Sequence, residues 1–385
     1  MNHLCDQFLL RPDVIFLNHG SFGACPKPIF DNYQAWQLEL EREPVEFLGR
    51  RFYALMQSAR ESLAAYVGAQ PDEIVYVPNA TTGLNTVARS LHLQPGDEIL
   101  TTNHEYGALD RTWRFMCRQT GAKYINWQLP DPLESHEQFI EALWRGVTDR
   151  TRVIFLSHIT SPTALLFPVK EICQRARESG IISVVDGAHA PGQVPLDLDQ
   201  IDPDFYSGNC HKWMCSAKGS AFLYARREMQ RLLEPLIVSW GWESDQPSGS
   251  PFIDQNEWQG TRDLAAYLSV PAAIEFMAEH HWDQVRSKCS ALAAEAGRRI
   301  TALTEQPPLH LDSFPNDIQM VSVPLPPCDP VNLQGRLFED YRIEVPLVTW
   351  EQRPLIRVSI QAYNTQADVD RLIEALTELL PVMNT

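Results

Sequence analysis

Lys212 lies in the stretch Ser207-Gly208-Asn209-Cys210-His211-Lys212-Trp213, just past a strand predicted near Phe205. An amine at a strand end, among groups that lower its pKa, can condense with a carbonyl. Most lysines are solvated surface charges. Here His211 and Ser207 precede the lysine, and the apolar, glycine-containing run KGSAFLYA follows it. Asp186 ends another apolar run, IISVVD, and is followed by Gly187, Ala188 and His189. By itself Asp186 could be a helix cap or a loop residue. Paired with a reactive lysine, it could also hold a proton on a heterocyclic nitrogen. A third polar stretch, Asn79-Ala80-Thr81-Thr82-Gly83, follows IVYVP and opens a helical pattern. Its backbone N–H groups and the helix dipole suit a phosphate.

The elements that must position these residues form a regular series. Strand patterns at Ile74–Val77, Asp97–Thr101, Lys123–Leu129, Arg152–His158, Ile181–Asp186, Phe205–Ser207 and Ser220–Tyr224 are interspersed with helical patterns at Thr81–Leu91, Ala108–Gln119 and Val169–Ser179. This alternation predicts an α/β fold with a mostly parallel sheet and helices on both faces. In such a sheet, ligands bind outside the carboxyl ends of the strands, where all three polar stretches fall. Beyond the segment EWQGTRD come helices near Leu264–His280 and Trp282–Thr304. Strand patterns at Ile318–Val323, Ile343–Pro346 and Leu355–Ile360 and helices at Val331–Asp340 and Gln366–Leu380 follow. We therefore expect three parts: an N-terminal segment, 1–30, packing on a small domain; a large domain, 31–262; and a smaller C-terminal α+β domain, 263–385.

At 385 residues with 44% hydrophobic and 21% charged residues, the chain can build a substantial core. A net charge of −17 without a long basic run argues against nucleic acid or an anionic membrane as partner. The first residues lack a basic flank before a sustained apolar run, so no signal peptide is expected. No apolar stretch is long enough for a membrane helix. Eight cysteines without framework spacing fit a reducing, cytoplasmic setting. Cys210-His211 with Cys215 matches no common zinc spacing, and we expect no metal.

VVDGAHA and SGNCHKWMCSAKGSAFLYA together resemble the class V aminotransferase family of fold-type I pyridoxal 5′-phosphate (PLP) enzymes. LNHGSFGACP, TTNHEYGALD, SHITSPTALLFPV, QGTRD and IRVSIQAYNT extend the likeness over residues 15–365. Within the family it runs furthest toward isopenicillin N epimerase-like proteins. The resemblance implies a seven-stranded sheet of the fold-type I kind and PLP held by Lys212 as a Schiff base. It places Asp186 at the pyridine nitrogen and His189 near the 3-oxygen and the lysine. Ala80, Thr81, Thr82 and His211 fall at phosphate-binding positions, and Ser207 at a further cofactor-binding position. Thr261 matches a residue that reaches the phosphate from a neighbouring subunit, which implies a homodimer with shared active sites. Tyr106, or His104 beside it, would cover the cofactor ring. Ser161 stands where the family often carries Asn near the 3-oxygen, and the shorter side chain weakens that contact. Arg357 would grip the α-carboxylate of an amino-acid substrate. Asn18 would line the substrate pocket, with His19 as a second candidate. Loops around Trp240–Trp242 and Val348–Gln352 would complete it.

With these parts Lys212 could take the proton from Cα of an amino acid. Reprotonation from the opposite face gives an epimerase or racemase, the reading the resemblance favours, with Tyr106, His104 or His19 as the second base. Loss of a β-substituent gives a C–S lyase acting on a cysteine conjugate or hercynylcysteine sulfoxide, and protonation at the cofactor gives an aminotransferase. A cysteine desulfurase would need a mobile, acidic thiol, and Cys328, held in Pro-Pro-Cys-Asp-Pro, suits that poorly. A non-catalytic PLP-fold protein would be expected to lack Lys212 or Asp186, and both are present.

Overall fold

The computed structural model describes residues 2–245 and 247–383. Its strands, in chain order, are β1 (Ile15–Phe16), β2 (Ile74–Val77), β3 (Glu98–Thr102), β4 (Lys123–Trp127), β5 (Thr151–Ser157), β6 (Ile182–Gly187), β7 (Phe205–Asn209), β8 (Ala221–Ala225), β9 (Met320–Pro324), β10 (Ile343–Glu344), β11 (Leu347–Trp350) and β12 (Arg353–Ser359).

Strands buried on both faces read as continuous apolar runs, and RVIFLS and ISVV are such runs. They become β5 and β6 at the centre of a seven-stranded sheet of order β2-β8-β7-β6-β5-β3-β4. All adjacent pairs are parallel except those made by β8, which runs antiparallel to both β2 and β7. Alternate side chains feed two cores: Ile74, Tyr76, Ile154, Leu156 and Val185 lie on one face, and Val75, Val77, Val153, Phe155 and Val184 on the other. Helices cover both faces. In the helix Val169–Glu178 the buried residues Val169, Ile172, Cys173 and Ala176 recur at helical spacing. The fold is the α/β fold-type I architecture.

A second sheet of order β11-β12-β9 is antiparallel and carries the helix Trp282–Thr304 against β9. β1 pairs in parallel with β10, and Asn18 bridges to Ser359 at the end of β12. The N-terminal segment is thus stitched to strands more than three hundred residues later.

Three features differ from the sequence reading. The strand expected at Ile343–Pro346 is the two-residue β10. A further strand, β11, follows and forms a hairpin with β12, because Pro346 has no N–H to extend a ladder. The helix expected over Leu264–His280 is split into Ala265–Leu268 and Val270–Glu279 at Ser269, just before Pro271. Between residues 27 and 67, where no element was assigned, helices Lys27–Arg42 and Phe52–Val67 form.

Gly83, in the helix Ala80–Ser90, brings that helix close to β7. A methyl group there would stand 2.3 Å from Ser207 Oγ, which is pinned by donating to Phe222 O at 2.7 Å. Alanine gains about 1 kcal/mol of helix propensity over glycine, but overpacking costs about 1–3 kcal/mol. Gly83→Ala is therefore expected to be net destabilised in denaturant titration, and a net gain in stability would contradict this packing.

Candidate active site

The carboxyl ends of the parallel strands converge on one edge of the large sheet, and a cavity of about 430 Å³ opens there. Asp186 ends β6 and is buried. Its Oδ1 accepts the Ala188 N–H at 2.9 Å, and the residue lines the cavity. Burial raises its pKa, while the Ala188 N–H and the Lys212 charge oppose the rise. Gly187 makes this turn possible, since a Cβ there would lie 2.0 Å from the Tyr206 ring.

Lys212 stands in the loop between β7 and β8, with Nζ 3.1 Å from His189 Nε2. Burial holds its amine below the ordinary lysine range. The Arg357 charge adds to this and Asp186 opposes it. The loop is braced from outside by the N-terminal segment. His19 Nε2 lies 2.9 Å from the Lys212 carbonyl, and its Nδ1 lies 3.0 Å from the Tyr363 hydroxyl. Gly23, at φ +70°, comes so near the loop that a Cβ would sit 2.1 Å from His211 O.

The helix Ala80–Ser90 opens at the end of β2. Asn79 caps it, its Oδ1 accepting the Thr82 N–H at 2.9 Å. The Ala80 N–H donates to Asn209 Oδ1 at 2.9 Å. The Thr81 N–H has no protein acceptor, and Thr81 lines the cavity beside His211. His211 Nδ1 donates to Ser220 O at 2.8 Å, leaving Nε2 without a protein partner. Thr82 and Ser207 are adjacent but not among the lining residues.

Tyr106 lines the cavity and is 45% exposed. His104 is turned away from it: Nδ1 lies 2.9 Å from Thr163 Oγ1, and the ring stacks on Trp350 at 4.5 Å. Ser161 lines the cavity and binds Arg357, whose Nη1 donates to Ser161 O at 2.6 Å and Oγ at 3.1 Å. Arg357 Nη2 donates to Ser21 Oγ at 2.9 Å, and its Nε has no partner. No carboxylate meets this buried guanidinium, and burial brings its pKa down to about 10. Asn18 is buried beside Glu344, donating to Oε1 at 3.2 Å, with its own Oδ1 unpaired. Thr261 is exposed and is not among the cavity's lining residues. Trp240 and Trp242 are likewise exposed.

Two residues escaped the sequence reading. Asn209 lines the cavity at the end of β7, and the only sign of it was a polar residue ending a buried strand. Glu105 is buried and accepts from Thr102 Oγ1 at 2.6 Å and from Ser157 N and Oγ at 2.8 and 2.6 Å. It thereby fixes the loop that carries Tyr106 to β5. Burial pushes its pKa up to about 8 against those hydrogen bonds. Cys328 packs against the main core, and burial and Asp329 raise its thiol pKa, so it is no ready thiolate.

Lys212, His189, Asp186 and the opening of the helix Ala80–Ser90 meet at one cavity, and Ser161 and Ser21, which also line it, hold Arg357. The chain belongs to the aminotransferase class-V family, whose profile matches residues 27–372. Its cofactor is PLP, and the donors just described fit the group's aldehyde, pyridine nitrogen and phosphate. The chain is 37% identical to isopenicillin N epimerase of Amycolatopsis lactamdurans, over 97% of each protein. It is 28% identical to the probable chloroplastic L-cysteine desulfhydrase of Arabidopsis thaliana, over 96% of this chain and 83% of that protein. The crystal structure of the cysteine desulfurase CsdA from Escherichia coli superposes with a TM-score of 0.82 at 23% identity, covering 99% of this chain and 98% of that one. No helix among the described residues is long and apolar enough to cross a membrane.

Only a neutral amine attacks a carbonyl. For an ordinary lysine the neutral fraction climbs about tenfold per pH unit up to a pKa near 10.4. The lowered pKa of Lys212 predicts that the rate of PLP incorporation into cofactor-free protein is nearly flat between about pH 8.5 and 10, followed by cofactor absorbance. A tenfold climb per unit would contradict the buried setting.

Proposed function

We propose that the protein is a PLP-dependent amino-acid epimerase or racemase that removes and returns the proton at the substrate Cα. Arg357 is the observation that carries amino-acid recognition. Burying an ion without a partner costs several kcal/mol, and Arg357 is 4% exposed with only neutral oxygens around it. A substrate α-carboxylate supplies the missing anion in the two-pronged geometry a guanidinium favours.

The bound cofactor supplies the electron sink that makes the Cα proton acidic. Lys212 takes and returns that proton on one face. Tyr106, which lines the same cavity, serves the other. His104 and His19 are the weaker choices, since one is buried against Trp350 and Thr163 and the other against Tyr363 and the Lys212 carbonyl. Asp186 keeps a proton on the pyridine nitrogen, and His189 serves the 3-oxygen. Ala80, Thr81 and His211 line the cavity where the phosphate would sit, Thr82 and Ser207 back them from outside the lining, and Asn18 borders the substrate.

The similarity to isopenicillin N epimerase supports this reaction over the alternatives. The second reading, a β-eliminating C–S lyase, shares the first proton removal and is supported by the likeness to a protein named as an L-cysteine desulfhydrase. Thr261 is exposed, as are the apolar residues Ile237, Val238 and Trp240, and this suits a homodimer in which each subunit completes the other's phosphate site. Eight free cysteines suit a reducing cytoplasm.

Proton NMR in D₂O against a panel of amino acids and cysteine conjugates tests the reaction. Cα exchange with recovery of a stereoisomeric mixture is expected. Pyruvate, ammonia and a sulfur fragment would instead make the protein a C–S lyase. Lys212→Ala is expected to abolish exchange, and full activity in that variant would sink the assignment. Tyr106→Phe should lose exchange from one antipode far more than from the other. Arg357→Met should lower kcat/KM about a hundredfold, which corresponds to loss of a charge-assisted hydrogen-bond pair.

A further inference from the structure

His189 is bracketed by two residues adjacent in sequence. Lys212 Nζ stands 3.1 Å from its Nε2, and the Trp213 indole donates to its Nδ1 at 3.2 Å. An indole nitrogen is a donor only, and a neutral imidazole carries one N–H. Nδ1 must therefore be the bare nitrogen, and Nε2 must hold the proton. The flipped ring would set carbons against both the indole N–H and the lysine, losing two contacts at once. The backbone around the ring is fixed as well. Gln193 Nε2 donates to His189 O at 2.8 Å, and Gln193 Oε1 accepts the Gln319 N–H at 3.0 Å. Gly192, at φ +85°, lets the Trp213 backbone come so close that a Cβ would lie 2.4 Å from its carbonyl.

We infer that Trp213 is a positioning residue that locks His189 in the Nε2–H tautomer, so the ring presents a donor and never an acceptor to Lys212 and the cofactor. The lock has a consequence for the lysine. A donor at Nε2 accepts only a neutral amine as partner, consistent with the lowered pKa of Lys212. Once Lys212 gains a proton, the two groups become donor against donor, and the ammonium is released from His189. The same N–H is then available for the oxygen beside the cofactor's aldehyde. This holds for an epimerase and for a lyase alike, so it stands or falls separately from the reaction proposed above.

Nitrogen-15 NMR of histidine-labelled, cofactor-free protein reads the tautomer directly. His189→Gln removes one set of signals and so identifies those of His189. In the unsubstituted protein, His189 is expected to show a protonated Nε2 and a bare Nδ1 across neutral and mildly alkaline pH. In Trp213→Phe, the Nδ1–H tautomer should become populated, a change that lost packing alone would not produce. A proton on Nδ1 in the unsubstituted protein would overturn the lock, and so would an unchanged tautomer in a folded Trp213→Phe. If that variant does not fold, the measurement on the unsubstituted protein decides. With PLP bound, Trp213→Phe should also shift the pH midpoint of the cofactor's visible absorbance, and an unmoved midpoint would argue that Nε2–H does not serve the cofactor.

Discussion

A buried guanidinium without an anion is costly to fold around, and three separate parts of the chain hold it. Arg357 comes from β12 in the small sheet, Ser161 from the loop after β5 in the large sheet, and Ser21 from the N-terminal segment. Three parts of the chain that are remote in sequence meet at one positive charge. An uncompensated ion in a cleft costs several kcal/mol, and the neutral oxygens around Arg357 repay only part of that. The remainder is stored until an anion arrives. The same charge lowers the pKa of Lys212, so the group suited to a carboxylate also helps keep the nearby amine neutral.

The N-terminal segment does more than close the fold. Gly23 lets its backbone press on the Lys212 loop, His19 takes the Lys212 carbonyl, and Ser21 holds Arg357. Gly20 packs so tightly that a Cβ would stand 2.9 Å from both Met320 Sδ and Ser359 Oγ. This short stretch touches the reactive loop on one side and the small sheet on the other. A loosening of its pairing between β1 and β10 would therefore be felt at the lysine.

The large sheet was legible in the sequence because its strands are buried on both faces and so read as unbroken apolar runs. Asp186 and Lys212 stood out as polar residues near the ends of such runs, and only the family resemblance gave them roles. What could not be read was set by contacts between distant segments. His104 and Tyr106 are two residues apart, and the resemblance favours Tyr106 as the ring's cover with His104 as the alternative. The choice depends on Trp350, which comes from a hairpin that Pro346 obscured and which draws His104 away from the cavity. Asn209, Glu105 and Trp213 carried no motif of their own. Their importance lies in which hydrogen-bond partners each meets, and burial with geometry determines that.

The single reversed strand of the large sheet has a mechanical consequence. Because β8 runs antiparallel to β7, the chain passes between them through the loop Cys210–Ser220 with no crossover helix. The segment bearing Lys212 is therefore a short bridge clamped at both ends in neighbouring strands. A lysine at the tip of a crossover connection would inherit every shift of the helix behind it. This one is tied directly to two paired strands of the central sheet. Insertions here would have to be absorbed between two paired strands of the central sheet.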